Sequence, residues 1–211
     1  MAYFPFFVDL AGRKGLIVGG SAVALRKIQK LLPFGPSLTV CAPDICPEIQ
    51  KIPGLRLLRQ PFDPALLEEA AFVIAAAGDP EVNHRAARLC GERKIPVNAA
   101  DGREYCSFLF PALVKRGRFC VGISTGGASP TGAAYWRERI DAMIPEGFEG
   151  LLDQLDSLRE RVKAELPGEK RRSGLLAELF AAGMDRGGPL PPEEAEALLR
   201  RYREGGTEDG V

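Results

Sequence analysis

The chain has 211 residues, 45% of them hydrophobic, and its 28 basic and 28 acidic side chains leave a formal net charge of zero. That length holds one good core, or one core and a smaller appendage. The charge balance excludes a global field that would gather nucleic acid or a membrane surface, so neither is expected as a partner.

The apolar start, Met1 to Val8, has no basic residue before it and is interrupted by Asp9, so it does not read as a secretory leader. No apolar run approaches the roughly 20 residues of a spanning helix. Five cysteines without a C-x-x-C pair point to free thiols in a reducing compartment, by default the cytoplasm. Phe6 to Leu10 reads as a short extended piece before a first strand at Gly15 to Val18. Ala22 to Leu32 carries apolar residues at helical spacing, with Arg26, Lys27 and Lys30 on the other face. Pro33 to Pro36 breaks that helix. Strands are predicted at Ser37–Cys41 and Leu55–Arg59, and a short helix at Pro64–Ala70. Phe72 to Ala77 is continuously apolar, as a parallel strand buried on both faces would be. A helix from Pro80 to Arg93 and a fifth strand at Ile95–Asn98 follow. Strands alternating with helices predict an α/β fold with a parallel sheet and right-handed crossovers.

The rhythm changes after Asp101. Ser107–Val114 and Gly117–Ser124 read as two strands of a hairpin joined through Lys115-Arg-Gly117. A small-residue turn, Thr125 to Pro130, opens a helix over Thr131–Met143. Beyond Pro145 the pattern is helical. Leu151, Leu152, Leu155, Leu158 and Val162 form one stripe. A last helix starts at Pro192 with acids and ends in bases before Gly205. The tail from Gly206 to Val211 is expected to be disordered.

The most informative stretch is Gly15-Leu-Ile-Val-Gly-Gly-Ser-Ala-Val-Ala-Leu-Arg-Lys27. An apolar strand ends in paired glycines, and small residues lead into a helix. Such a turn presents backbone amides to an anion, and the helix dipole favours a pyrophosphate there. The order is nearly G-x-G-x-x-A, with Gly19 first, Ala24 last and Ser21 in place of the middle glycine. Gly19, Gly20, Ser21, Ala22 and Val23 are the candidate cofactor turn. The plainer reading is a simple connection between strand and helix.

Four stretches together resemble the dehydrogenase–ferrochelatase family of siroheme biosynthesis, the stand-alone precorrin-2 dehydrogenases and the N-terminal part of siroheme synthase. They are Phe4–Leu10 with Leu16–Lys27, Ala75–Asn83, Val97–Asp101, and Ser107–Pro111 with Ile123–Pro130. The resemblance spans most of Phe4 to Leu155. It implies oxidation of precorrin-2, a tetrapyrrole with many carboxylate arms, to sirohydrochlorin with NAD as hydride acceptor. In some members Fe2+ insertion follows. It also implies a homodimer with an N-terminal Rossmann-like domain (1–111), a small β-hairpin and helix dimerisation domain (112–145) and a helical C-terminal domain (146–211), the active site lying where these parts meet.

Under that resemblance Asp101 is the candidate catalytic acid–base. It follows a buried strand at the edge where α/β sheets keep ligands, and a carboxylate there can accept a proton from the macrocycle. Its plainer reading is an Asp-Gly turn. Pro43 and Asp44 are placed beside the adenosine. With no arginine there for a 2′-phosphate, they favour NAD over NADP, though Asp44 also suits a cap. Asn83 is placed near the nicotinamide, or else it satisfies its own turn. Ser124, Thr125, Gly126 and Gly127 are candidates for gripping substrate carboxylates through free amides, in a turn that also caps a helix. Arg103, Lys115, Arg116 and Arg118 could supply positive charge for the same arms; the plainer reading is that they are solvated, and none is named as a ligand. His84, the single histidine, sits in an ordinary helix, and the cysteines lack zinc or cluster spacing, so no structural metal is expected. A short-chain dehydrogenase needs a lysine four residues after a tyrosine, which Tyr3, Tyr105, Tyr135 and Tyr202 all lack. The alternative from another class is a catalytically inactive NAD-binding regulatory module. The missing basic DNA-binding helix counts against it.

Overall fold

Phe72-Val-Ile-Ala75 contains no polar side chain, and all four residues are buried. This strand, β4, is an inner strand of its sheet, and it is apolar throughout because parallel strands covered by helices bury both faces. The computed structural model describes residues 3–205. The tail from Gly206, expected to be disordered, lies outside the described residues. Two compact units divide the chain, residues 5–110 and residues 111–205 with Tyr3 and Phe4.

The first unit runs β1 (Lys14–Val18), α1 (Ala22–Leu31), β2 (Ser37–Cys41), α2 (Pro47–Gln50), β3 (Arg56–Leu58), β4 (Phe72–Ala75), α3 (Pro80–Arg93) and β5 (Val97–Ala99). The sheet order is β3-β2-β1-β4-β5, and every pair is parallel. Val18 pairs with Cys41 and with Ala75, and Ala75 pairs with Ala99. Four strands therefore end level with one another, and the order reverses between β1 and β4, where such sheets bind ligands. Alternate side chains divide between two cores. Ile17, Val40 and Ile74 meet Ala24, Ile28 and Leu31 of α1 on one face. Leu16, Val73 and Val97 meet Ala86, Ala87 and Cys90 of α3 on the other. Each fully buried Ile or Leu contributes roughly 1.5–3 kcal/mol of transfer free energy.

Several expectations need correction. Lys27 is not on the solvent face of α1. It is half-buried, its Nζ donates to Asn98 Oδ1 at 2.9 Å, and it lies 4.1 Å from the centre of the Phe110 ring. Burial, with the Lys30 charge next, pulls its ammonium below the usual lysine range. The helix expected at Pro64–Ala70 is a single 3-10 turn, Pro64–Leu67, capped by Asp63. Ser107 to Phe110 is not part of the hairpin. Ser107 exchanges bonds with Val97, its amide donating to the carbonyl at 2.8 Å, and Phe108 and Phe110 pack on the α1-side core.

The second unit begins with the antiparallel hairpin β6 (Ala112–Arg116) and β7 (Phe119–Ile123). Four helices follow, α4 (Pro130–Met143), α5 (Phe148–Glu165), α6 (Glu169–Arg186) and α7 (Pro192–Glu204). Pro167 and Gly168 separate α5 from α6, since proline cannot continue the ladder. In the leucine stripe Leu151 and Val162 are buried, while Leu152, Leu155 and Leu158 are half-buried. Val162 joins Leu166, Leu175, Leu179, Leu190, Ala195 and Leu199 in the helical core. Gln154 fixes the α6–α7 connection, donating to the Leu190 carbonyl at 2.7 Å and accepting from its amide at 2.9 Å. Among the described residues no helix is long and apolar enough to cross a membrane.

Candidate functional site

The level strand ends make one carboxyl edge, and the candidate residues of the first unit follow it directly. The ladder continues one residue further. The Gly19 amide donates to Cys41 O at 2.9 Å, Ala76 to Val18 O at 2.8 Å and Ala100 to Ala75 O at 2.9 Å. Gly19 has φ +130°, and a Cβ there would stand 2.1 Å from the Ala76 carbonyl oxygen. Only glycine lets β1 turn this close to β4. A Cβ on Gly20 would meet the Asp44 carbonyl oxygen at 2.2 Å, and the Cys46 amide donates to Gly20 O at 2.8 Å. The paired glycines thus dock the turn against the loop after β2 as well as shaping it.

Ser21 caps α1, its Oγ accepting from the Val23 amide at 3.3 Å. Its backbone is extended (φ −87°, ψ 178°), so a serine stands at the middle motif position without strain. The amides of Gly20, Ser21 and Ala22 donate to no acceptor among the described residues. Ser21, Ala22 and Val23 are exposed. Three successive unclaimed donors, on buried Gly20 and exposed Ser21 and Ala22, fit a pyrophosphate at the helix start. Pro43 and Asp44 are exposed beside this turn, and Asp44 is not a helix cap, because α2 begins after Cys46 without a side-chain cap. Cys41 occupies the position where an acid often ends β2. Its thiol is buried, donates toward Gln60 O at 3.4 Å, and is raised above the usual thiol range by burial.

Asn83, in the first turns of α3, is 0% exposed. Its Oδ1 accepts from the Ala77 amide at 2.8 Å and its Nδ2 donates to the Ala77 carbonyl at 3.0 Å. The same Nδ2 donates to Asp101 Oδ2. Asn83 does not satisfy its own turn; Asp79 caps α3 instead. Both amide hydrogens of Asn83 are claimed by protein. Asp101 is exposed, and its Oδ1 has no partner among the described residues. The turn that carries it is closed by Cys106, whose thiol lies 3.2 Å from the Ala99 amide and 3.3 Å from the Gly102 carbonyl. Sequence reasoning passed over Cys106, the Lys27–Asn98 pair, and Tyr105, whose ring stacks on His84 at 4.0 Å. The signal available was a buried asparagine in a strand, Asn98, which must find partners.

In the second unit the turn from Ser124 is largely closed on itself. The Gly126 amide donates to Ser124 Oγ at 3.1 Å, Ala128 to Thr125 O at 3.1 Å, and Ser129 to Thr125 Oγ1 at 3.0 Å. Ser129 caps α4 through Gly132 at 2.9 Å. Among the described residues the amides of Gly126, Ala128 and Ser129 are therefore claimed within the turn, while those of Ser124, Thr125 and Gly127 donate to no acceptor. Arg116 pairs with Asp141 at 2.9 Å, and Arg118 with Asp153 and Asp156 at 3.2 and 2.9 Å, so their charges are already compensated. Lys115 donates to the Gly117 carbonyl. Among the described residues no three His, Cys, Asp or Glu side chains gather where they would hold a metal ion.

A five-stranded parallel sheet with a glycine turn at its switch point and unclaimed amides above it defines a dinucleotide-binding α/β protein. The chain belongs to the family whose model is described as "Putative NAD(P)-binding", which matches residues 6–112. It is similar to siroheme synthase of Sodalis glossinidius, with 34% identity over all of this chain and 45% of that protein. It is also similar to siroheme synthase of Thioalkalivibrio sulfidiphilus, with 36% identity over 88% of this chain and 40% of that protein. The chain thus spans less than half the length of these relatives. Among solved structures it resembles SirC, precorrin-2 dehydrogenase, with a TM-score of 0.74 and 26% identity over 96% of this chain and 100% of that one.

Proposed function

We propose that this protein is an NAD-dependent dehydrogenase that oxidises precorrin-2 to sirohydrochlorin in siroheme synthesis. The observation that carries the reading is the carboxyl edge itself. It holds three unclaimed amides at Gly20, Ser21 and Ala22, and a carboxylate, Asp101, fixed by one oxygen and open at the other. The names of the relatives and of the structural neighbour support the choice of substrate.

The nicotinamide, when bound, supplies the hydride acceptor. The amides of Gly20 to Ala22 and the α1 dipole hold the pyrophosphate, and Gly19 keeps the turn tight enough to present them. Asp44, beside the turn with Pro43, accepts from the ribose hydroxyls. Cys41 to Cys46 contains no basic residue that would pair with a 2′-phosphate, which favours NAD over NADP. Precorrin-2 loses a hydride and a proton, and Asp101 Oδ1 takes the proton. A positioned acid–base group contributes typically ~100-fold or more.

Further assignments rest on the resemblance. The turn at Ser124, Thr125, Gly126 and Gly127 contacts the carboxylate arms of the tetrapyrrole. The second unit divides near residue 145 into a dimerisation part and a helical part, and the enzyme works as a cytoplasmic homodimer. Iron insertion is a second step at the same carboxylate, with Fe2+ as substrate, as the name siroheme synthase of the relatives suggests.

The test is to mix the purified protein with NAD+ and precorrin-2 under anaerobic conditions and follow the sirohydrochlorin spectrum and NADH together. One NADH per sirohydrochlorin is expected. NAD+ binding without spectral change would favour a regulatory module instead. Addition of Fe2+ to the product mixture reads the second step separately.

A further inference from the structure

We propose that Asn83 is a positioning residue for Asp101, rather than a direct ligand of the cofactor. This rests on the reading of Asp101 as the proton acceptor. Asn83 is fully buried, and a buried amide that leaves no polar atom unpaired is held in one orientation. Its carboxamide is pinned by both backbone groups of one residue, Ala77, at 2.8 and 3.0 Å. That residue stands two places beyond the end of β4, and Asp101 two places beyond the end of β5. The remaining amide hydrogen goes to Asp101 Oδ2. Asn83 therefore ties the exits of two neighbouring strands together and selects which oxygen of Asp101 faces outward.

The exposure of Asp101 makes this clamp necessary. Its side chain has two rotatable bonds, and the Cys106 thiol, which closes the backbone of its turn, does not touch the carboxylate. Without Asn83 both oxygens would exchange freely between solvent-facing rotamers. Misplacement of a reacting group by about 1 Å can cost ~100-fold in rate. Asn83 adds no proton of its own to the reaction.

The experiment is a double-mutant cycle on the full chain with precorrin-2 and NAD+. Asn83→Asp keeps an acceptor for the Ala77 amide, removes the donors to the Ala77 carbonyl and to Asp101, and sets a second carboxylate against the first. We expect kcat to fall tenfold or more, with NAD+ affinity, measured by equilibrium titration, within twofold of wild type. In an Asp101→Asn background the same change is expected to cost less than twofold further. Three results would overturn the proposal: kcat within twofold of wild type, a loss that multiplies in the Asp101→Asn background, or a parallel fall in NAD+ affinity. A second readout does not use the reaction. In 15N-labelled protein the side-chain NH2 of Asn83 is expected to exchange slowly, and Asp101→Ala to shift one of its two hydrogens and speed its exchange. An unchanged NH2 pair in Asp101→Ala would overturn the clamp even if precorrin-2 is oxidised. Wild-type protein that oxidises no precorrin-2 would sink the functional reading, while this second readout still decides the clamp.

Discussion

Gly19→Ala and Gly91→Ala change the same atoms and should move stability in opposite directions. At Gly19 the backbone has φ +130° and a Cβ would lie 2.1 Å from the Ala76 carbonyl oxygen. Holding an L residue in that glycine region costs about 1–3 kcal/mol. The overlap forces the ends of β1 and β4 apart by about 1 Å and threatens the bond from the Ala76 amide to Val18 O, whose loss costs roughly 1–3 kcal/mol when the groups are buried. Against this, the less flexible unfolded chain returns only about 0.4–1 kcal/mol. The net expectation is a loss of roughly 3 kcal/mol, a large part of the 5–15 kcal/mol that holds a typical domain together. Gly91 lies inside α3, and a Cβ there meets nothing within 4 Å. Alanine should stabilise that helix by about 0.5–1 kcal/mol. Urea unfolding followed by circular dichroism reads both midpoints, and NAD+ titration of Gly19→Ala should show weakened binding because the turn amides move with Gly19. Shifts of the same sign, or a Gly19→Ala midpoint equal to wild type with full NAD+ affinity, would refute the packing argument for the turn.

An exposed, acid-sensitive tie joins two helices of the second unit. Arg161 on α5 grips Glu196 on α7 with bonds of 2.7 and 2.8 Å, and that bond holds the Glu196 carboxyl below the usual carboxylate range. A lowered carboxylate stabilises fully above its unfolded value and loses that contribution as pH falls through the folded one. Glu196→Gln should therefore flatten the fall in stability below about pH 4.5, where unfolded glutamate titrates, with a small effect near neutrality because the pair is exposed and screened by salt. A steeper fall in Glu196→Gln than in wild type would contradict this. Cys90 is buried in α3 and burial pushes its thiol up to about 11, while Cys41 is buried and likewise raised. Both should stay unalkylated by iodoacetamide at pH 8 in native protein and react once it is unfolded, as read by peptide mass. Early labelling of Cys90 would mean that α3 opens locally. Lys27→Met should destabilise the first unit by about 1 kcal/mol, because Asn98 Oδ1 loses its donor. An increase in melting temperature would show that burying the charge costs more than its hydrogen bond returns.

The sheet was legible because its strands announce themselves by composition. Phe72 to Ala75 admits no polar residue, and Ser37 to Cys41 begins and ends where β2 does. The helix bounds at Pro80 and Arg93 follow from a proline at the start and the lysine cap, in left-handed conformation, after the end. The glycine turn was legible for the same local reason, although the sequence could not say that Gly20 is required by the Asp44 carbonyl. What stayed hidden depends on partners distant in the chain. Lys27 looks solvent-facing until Asn98, 71 residues away, supplies an acceptor. Ser107 to Phe110 looks like a strand from its apolar character, yet its partner is β5 and the α1-side core rather than the hairpin. In the Ser124 turn three of the amides are claimed by acceptors within the same six residues, and nothing in composition tells a donor already bonded from one that is open. Asn83 was placed at the site by its motif, but its link to Asp101 appears only when the exits of β4 and β5 are level.

The most direct measurement is the rate of NADH formation from precorrin-2 in Asp101→Asn beside wild type, with NAD+ affinity measured on the same preparations. Oxidation should fall roughly 100-fold while NAD+ binds as before, as expected when a positioned proton acceptor is removed and the cofactor turn is left intact. Turnover at the wild-type rate would remove the carboxylate at the end of β5 from the chemistry and with it the account given for this edge of the sheet.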